Sequence, residues 1–333
     1  MYFGIFFWFL LVEHRTNDAL NLIHQACSSI KLKLSPDKSK ALILKGFQAT
    51  RRGDPVRQVY PILKLNNDRV LFVKSHRCLG VIFDEQFHFR GQVLAAVEKT
   101  KTILQRLRSI PGLSWGLNYR TRLTLYKTLI EPILLFGSET WGDLISVQDK
   151  FILMAAQRLA LIFVCKAYRT VSHPGLCVVA GCMPIDIKAY LKSELFANRA
   201  VDGKEQKSAR YVTALEKWQY FWMHSDKGRH TFSLLPNVVD RLKMKKYFST
   251  DFYVSQALTA HGDFAYRLAY QTSIADPLCR LCNQLDTVEH TLLQCRVLHP
   301  TPPLNFLVRL DSKEVFEVFS EMATQALKKK ENL

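Results

Sequence analysis

Three cysteines and a histidine lie close together in the sequence, at Cys279, Cys282, His290 and Cys295. Thiolate and imidazole groups are ligands that zinc prefers, and the two-residue gap lets both thiolates of one turn face the same ion. A site filled by four protein ligands is structural and not catalytic. The pattern therefore predicts a structural zinc site, and the alternative is a set of buried cysteines beside a hydrogen-bonded histidine. The spacing alone does not predict RNA binding.

Other patterns that carry chemistry are missing from the sequence. It contains no glycine-rich phosphate loop and no Ser/His/Asp arrangement. It also contains no pair of carboxylates on a strand–turn–strand, which a two-metal polymerase site would need. The residues by themselves therefore indicate no catalytic centre.

The charge of the chain points to an anionic partner. Its 333 residues include 46 Lys and Arg against 29 Asp and Glu, a net charge of +17. Such an excess favours nucleic acid first and an acidic membrane surface second. The hydrophobic share of 48% and the charged share of 23% exclude a mostly disordered or fibrous chain.

Five further cysteines are too widely spaced for a disulfide scaffold. We expect them to be small buried residues in a reducing, intracellular compartment. They are Cys27, Cys78, Cys165, Cys177 and Cys182.

The strongest helical periodicity covers residues 91–110, which should bury one apolar stripe. Lys99 and Arg106 border this stripe on one side, and Lys101 and Arg108 border it on the other. The helix is thus a candidate nucleic-acid interface, and the alternative is a solvated surface helix whose long side chains snorkel.

The remaining periodicities predict an α+β chain. The apolar segment 1–12 is too short to span a membrane and predicts a buried strand, with an N-terminal anchor as the alternative. The basic end, 328–330, predicts a frayed helix.

Further helices are expected over 16–33, 117–137 with a break near Glu131–Pro132, 147–165, and 185–222 with an interruption near 202–204. Strands are expected over 41–44, 61–65, 69–73 and 78–83.

Several segments, taken in order, resemble the reverse transcriptase of non-LTR retrotransposons, in particular the type-1 elements of arthropods that target ribosomal DNA. The matching segments are LKLSPDKSKALILKG, HRCLGVIFDEQFHF, LYKTLIEPILLFGSETW, AYRTVSHPGLCVVAGCMPIDI and the HGDF turn with the Cys279–Cys295 cluster. Each segment alone is a weak match, but five in the family's order are specific.

The resemblance implies a modular chain that binds RNA and DNA as a template–primer duplex. Residues 1–86 would be part of the polymerase palm and 87–165 a helical thumb. A helical connector would follow over 166–260, then a Cys3His zinc element over 261–300 and a C-terminal tail over 301–333. Lys38 matches the lysine of the late palm motif, which can assist the pyrophosphate leaving group. The nucleic-acid contacts expected on this basis are Lys38, Lys40, Lys99, Lys101, Arg106, Arg108, Arg120 and Arg122.

The chain departs from the family where catalysis would occur. Ile5, Phe6 and Phe7 stand where the family carries its paired aspartates, and no Tyr-x-Asp-Asp occurs anywhere. Those carboxylates hold the two Mg²⁺ ions that nucleotidyl transfer needs. We therefore expect a C-terminal fragment that is inactive by itself, with Mg²⁺ serving only an intact parent enzyme. The alternative is a domesticated, non-catalytic zinc protein that binds nucleic acid. We expect a nuclear location and no stable membrane association, and the sequence predicts no oligomeric state.

Overall fold

The computed structural model describes residues 2–44, 60–109, 116–272, 276–299 and 309–332. The chain forms two compact units, Met1–Gln92 and Val93–Leu333. The fold is mixed, mostly helical with a few short strands. At this level the α+β expectation is confirmed.

The first unit begins with helix α1, Tyr2–Ser29. The strand predicted for residues 1–12 is therefore wrong. That prediction relied on aromatic and β-branched content, which is a context-dependent preference. The segment continues without a proline into the amphipathic helix predicted over 16–33, and extending an existing helix is much easier than nucleating one.

Six short strands follow among the described residues of this unit, and they form three pairs. Strand β1 pairs in parallel with β4, whereas β2 with β3 and β5 with β6 are antiparallel hairpins. The hairpin expected near residues 66–68 is confirmed, because Asn66 and Asn67 form its turn with positive φ angles. The strands are β1 Lys40–Ala41, β2 Lys64–Leu65, β3 Asp68–Arg69, β4 Leu71–Phe72, β5 Ser75–Cys78 and β6 Val81–Asp84.

The single strand predicted over 78–83 is divided by a turn, because Cys78 ends β5 and residues 81–83 lie in β6. Leu79 and Gly80 have φ angles of +48° and +88°, so the chain reverses there. Cys78 consequently lies on an exposed hairpin and is not buried as expected.

Helix α1 covers one edge of these strands with side chains. Asn17 donates from Nδ2 to the Ile62 carbonyl at 2.9 Å and accepts from the Lys64 amide at 2.8 Å. Glu13 accepts from the Ile62 amide at 2.9 Å. These three backbone groups at and just before the start of β2 are therefore satisfied by side chains of α1.

The predicted basic helix is present as α2, Arg90–Arg108. Asp84 orders the turn that precedes α2, because its carboxylate accepts hydrogen bonds from three backbone amides of residues 86–89. The apolar stripe is buried through Val93, Ala96, Val97, Leu104 and Leu107. Residue 110 lies outside the described residues.

The second unit is built of helices. Helix α6 has the bounds expected from the sequence, and α8 and α9 occupy the predicted range 185–222 with an interruption between them. Helix α14 covers a segment for which the sequence predicts only a frayed end at 328–330. The helices are α3 Tyr119–Leu125, α4 Glu131–Leu134, α5 Ser138–Trp141, α6 Val147–Cys165, α7 His173–Ala180, α8 Ile185–Ala197, α9 Lys204–His224, α10 Arg229–Leu234, α11 Val238–Lys243, α12 Phe252–Thr259, α13 Ala265–Thr272 and α14 Lys313–Asn332.

Helices α3 and α4 are joined by a π-helical turn, Tyr126–Ile130, and not by the break expected near Glu131–Pro132. Proline lacks an amide hydrogen, and its ring clashes with the carbonyl one turn earlier in a regular α-helix. The wider turn, in which the Glu131 amide donates to the Tyr126 carbonyl, lets the helix continue past this residue.

Close helix contacts form the core of this unit. Helix α5 packs on α8 so tightly that a Cβ at Gly142 would lie 2.2 Å from the Ala189 carbonyl oxygen. Position 142 therefore requires glycine, because real Cβ atoms do not approach backbone this closely.

A polar network centred on Gln157 lies inside this core. The Gln157 amide donates to the Tyr126 hydroxyl and the Met183 carbonyl, both at 2.9 Å. Its oxygen contacts His173 Nε2 at 2.8 Å and accepts from the Ile185 amide at 2.9 Å. One side chain thus links α6 to the π turn, α7 and the start of α8.

No single described helix has the length and apolar character needed to cross a membrane. One pair, His173–Ala180 with Ile185–Ala197, meets the length and composition test together but bends by 66°. All eight cysteines are free.

Candidate metal centre and nucleic-acid interface

The four predicted metal ligands meet in the structure. One ligand atom from each of Cys279, Cys282, His290 and Cys295 lies within 4.8 Å of all the others. The Cys282 Sγ is 3.8 Å from the Cys295 Sγ and 3.2 Å from His290 Nε2. Two thiolates bound tetrahedrally to zinc lie about 3.8 Å apart, given Zn–S bonds of about 2.3 Å. The cluster could therefore hold a metal, and its donor set suits zinc.

A tight turn positions the first two ligands. The Cys279 amide donates to the Gln284 carbonyl at 2.6 Å, and the Asn283 amide donates to the Cys279 carbonyl at 2.8 Å. Asn283 has a φ of +57°, a left-handed conformation that asparagine tolerates better than most residues. This turn directs Cys279 and Cys282 to one point.

A short helix positions the other two ligands. Thr287 caps it by accepting a hydrogen bond from the His290 amide on Oγ1 at 3.1 Å. The residues His290–Gln294 form a π turn, after which the Cys295 amide donates to the His290 carbonyl at 2.8 Å. His290 and Cys295 are thereby held on the same side of the turn.

The apolar core around the cluster is small. The buried residues there are Cys279, Cys295 and Leu298, with Leu281 and Cys282 partly buried against them. Two of the three buried residues are themselves ligands, and Val288, Leu292 and Leu293 of the same segment are also buried. Bonds to a metal would add to this apolar packing, as in small zinc modules.

The electrostatics of the cluster mean that metal binding must displace a proton from Cys282. Burial, together with the neighbouring Cys279 and Cys295 thiols, raises the pKa of Cys282 to about 11. Burial lowers the pKa of His290, which keeps its imidazole in the neutral form that binds metals. The metal-free site therefore holds a protonated Cys282 thiol at neutral pH, and a metal must displace that proton.

Helix α14 contacts the cluster segment through a buried ion pair. Lys330 Nζ donates to Asp286 Oδ1 and Oδ2 at 2.9 and 2.7 Å and to the Asp263 carbonyl at 2.5 Å. Side-chain exposure is only 1% for Lys330 and 2% for Asp286. The prediction of a frayed helix end at 328–330 is wrong for Lys330, whose buried ion pair fixes the helix to the cluster segment.

Adjacent contacts extend this docking. Lys329 Nζ donates to the Val297 carbonyl at 2.8 Å, and Arg280 donates to the Lys330 carbonyl. Thr291, next to ligand His290, donates to Asp286 Oδ1 at 2.9 Å. The metal segment and α14 are thus one packed assembly.

The predicted nucleic-acid residues of the first unit and of α2 are mostly exposed. Lys38 lies in a 3₁₀ turn and is exposed, whereas Lys40 is half-buried in β1. Lys99, Lys101 and Arg106 are exposed on α2. Lys101 has a weak ion pair with Glu98 at 3.4 Å. The side chain of Arg108 lies outside the described residues.

The two predicted arginines of α3 have different environments. Arg120 is exposed and donates to the Lys246 carbonyl. Arg122 is 2% exposed and donates to the carbonyls of Val164 at 2.8 Å, Thr250 at 3.1 Å and Leu117. Arg122 therefore holds three backbone segments together, and we leave it out of the candidate interface.

Sequence reasoning missed the partnership of Lys330 with Asp286 and the contact of Arg120 with the 244–246 turn. A signal for Lys330 was present. Buried residues recur along α14 at steps of three and four, and this series reaches Lys330. It runs through Phe316, Phe319, Ala323, Ala326, Leu327 and Lys330.

Comparison with known proteins agrees with the resemblance. The chain is 29% identical over 301 residues to the Retrovirus-related Pol polyprotein from type-1 retrotransposable element R1 4 of Nasonia vitripennis, covering 82% of this chain and 76% of that protein. It is 24% identical to the R1 Pol polyprotein of Bradysia coprophila, over 93% of this chain and 32% of the relative. A putative 115 kDa protein of element R1DM from Drosophila melanogaster is 27% identical, over 92% and 31%.

This chain therefore spans about a third of the length of the last two relatives. No protein-family model and no solved structure matches it.

Proposed function

Starting from its homology to the Pol polyproteins of type-1 (R1) retrotransposable elements, we propose that this chain is the nucleic-acid-binding C-terminal part of a reverse transcriptase. Residues 1–86 would be the remnant of a palm and 87–165 the thumb, and the chain would bind a template–primer duplex of RNA and DNA in the nucleus. The observation that carries the proposal is sequence similarity to these polyproteins over most of the chain.

The basic face of α2 supports binding to a phosphate backbone. Lys99 and Arg106 are two helical turns apart and exposed, and neither has a carboxylate within 4.0 Å among the described residues. Cations that are not neutralised internally are free to displace counterions from nucleic acid, which is the main source of sequence-independent affinity. Lys101 and Lys38 would add contacts, and Lys38 is also the auxiliary residue implied by the family.

The metal cluster would hold structural Zn²⁺. Four protein ligands leave no open coordination position for a water or a substrate, so the ion would stabilise the segment and take no part in a reaction. Metal analysis of the purified chain tests this. One zinc per chain, lost in Cys279→Ser, is the expected result, and a folded protein without zinc would contradict it.

We further propose that the chain has no nucleotidyl-transfer activity by itself. The sequence contains no adjacent pair of aspartates with which to hold two Mg²⁺ ions. Primer extension on an RNA template with Mg²⁺ should give no product above background, and incorporation of nucleotides would refute this part of the proposal.

A second candidate function is a domesticated, non-catalytic zinc protein that binds nucleic acid. The net charge of +17 without paired aspartates favours it. Full-length cDNA sequencing separates the two candidates. A reading frame that continues upstream through an Asp-Asp strand supports the reverse-transcriptase part, and a transcript that starts at Met1 supports domestication.

Binding itself is tested by fluorescence anisotropy with an RNA–DNA hybrid between 50 and 200 mM salt. The affinity should fall steeply with salt, and Lys99→Gln/Lys101→Gln/Arg106→Gln should reduce the slope of log K against log salt by about 2 to 3. The charge-matched control is Lys204→Gln/Lys207→Gln/Lys227→Gln, which removes three exposed lysines elsewhere. Undetectable or salt-insensitive binding by the unaltered chain would reject the proposed function.

A further inference from the structure

Helix α3 and the turn Met244–Lys246 meet at the surface of the second unit. Arg120 donates from its guanidinium to the Lys246 carbonyl, across 126 residues of sequence. The short turn carries two consecutive lysines, Lys245 and Lys246, and both are exposed. Arg120 is therefore a neighbour in the fold of two lysines that are distant from it in the sequence.

The exposed face of α3 extends this basic region. The helix and its π turn bury Tyr119, Arg122, Tyr126 and Ile130, which recur at steps of three and four. Arg120 and Lys127 are seven residues apart, so both lie on one exposed flank of the helix beside this buried stripe, about 10 Å from each other along the axis.

Among the described residues, no carboxylate forms an ion pair with any of these four cations. Within the described part of the chain, none of Arg120, Lys127, Lys245 and Lys246 has a carboxylate oxygen within 4.0 Å. The neighbouring Lys243, in contrast, forms an ion pair with Asp240 at 2.8 Å. We use the name α3 ridge for Arg120, Lys127, Lys245 and Lys246.

The chemistry of the ridge suits a row of phosphates. Lysine binds phosphate as a point charge, and arginine offers several N–H donors in a planar fork, of which only part is used on the Lys246 carbonyl. A separation of about 10 Å corresponds to the rise of about three nucleotides along the axis of a duplex. The exposed Thr124 lies between Arg120 and Lys127 and adds a hydroxyl group.

We infer that the α3 ridge is a phosphate-binding surface for the nucleic-acid backbone, separate from the basic face of α2 and independent of base sequence. The inference rests on the proposed function, because it names a surface through which the same nucleic acid is held. The α3 ridge includes Lys245 and Lys246, which no sequence pattern connects to α3. The buried Arg122 is not part of it.

The test compares Lys127→Gln/Lys245→Gln/Lys246→Gln with the control Lys204→Gln/Lys207→Gln/Lys227→Gln, using the hybrid duplex. Arg120 is kept because its side chain also joins two elements. The slope of log K against log salt should fall by about 2.7 in the ridge variant, at about 0.9 per phosphate contact. Between 50 and 200 mM salt, the unaltered chain should therefore lose about 40-fold more affinity than the ridge variant.

Two outcomes would overturn the inference. One is a ridge variant with an unchanged slope, and the other is a control that lowers the slope equally. In either case the unaltered chain still binds with a salt-dependent affinity, so the proposed function survives. Binding of the same variants to vesicles that contain phosphatidylserine is measured in parallel. A ridge variant that loses vesicle binding while its hybrid affinity stays unchanged would also overturn the inference.

Discussion

Replacing Lys330 with methionine should destabilise the second unit by about 3 kcal/mol. The ammonium group of Lys330 has three N–H donors, and its best acceptors are the two Asp286 oxygens and the Asp263 carbonyl. Removing one partner of a buried ion pair typically costs about 3–5 kcal/mol, because the remaining charge stays buried without compensation. We expect the lower end of this range, since Asp286 keeps hydrogen bonds from the Ala265 amide and the Thr291 hydroxyl.

Urea denaturation of Lys330→Met, followed by far-UV circular dichroism, measures this loss. The matched control is Lys328→Met, since Lys328 is exposed on the same turn of α14. The control should unfold at nearly the unaltered midpoint, because surface substitutions usually have small effects. The double variant Lys330→Met/Asp286→Asn should recover part of the stability, as it removes the uncompensated charge.

A second readout checks that the effect is located at the metal segment. Zinc release to a chromophoric chelator should be faster in Lys330→Met than in Lys328→Met, because Asp286 and Thr291 lie in the ligand-bearing segment. Equal unfolding midpoints and equal release rates for the two variants would refute the reasoning that Lys330 holds α14 on this segment.

Other predictions concern the core and the metal site. Arg122→Met should lower the free energy of unfolding by about 3 kcal/mol in denaturation experiments, because three backbone carbonyls lose their donor, and it should leave the salt slope of nucleic-acid binding unchanged. Zinc affinity, measured by chelator competition, should rise with pH, since the pKa of Cys282 is raised to about 11 and binding must release its proton. Burial lowers the pKa of His173 from 6.5 to about 4. As the pH falls, residue 173 therefore takes up a proton in the unfolded chain before it does so in the folded chain. The free energy of unfolding should be at its full value above pH 6.5 and fall by up to about 3 kcal/mol toward pH 4. The fall should be less steep in His173→Gln.

The metal cluster could be predicted from the sequence because its geometry is local. All four ligands lie between residues 279 and 295, and a turn followed by a capped helix is enough to bring them together. The long helices α2 and α6 could be predicted for the same reason, since their apolar periodicity extends over many turns.

Long-range contacts could not be predicted in this way. Arg120 and Arg122 are both basic residues on one helix, yet one is exposed and the other is buried. The difference arises from the carbonyls of Val164 and Thr250, which belong to distant segments. Charge alone therefore overestimates a nucleic-acid interface, because a buried guanidinium can be satisfied by backbone oxygens.

Local composition also misled the strand predictions. Residues 1–12 have the aromatic content of a strand but continue into a helix. Residues 78–83 read as one strand, although Leu79 and Gly80 both adopt positive φ angles. Leucine rarely forms such a turn, so its residue type gave no warning.

The ion pair between Asp286 and Lys330 also has a consequence for the order of folding during synthesis. Asp286 leaves the ribosome 44 residues before its cation. Once Cys295 has also emerged, the segment has all four metal ligands in place but cannot bury Asp286 without an uncompensated charge. The metal segment should therefore complete its packing late, when residue 330 arrives, and nascent chains that are stalled earlier should present an open, exchangeable metal site.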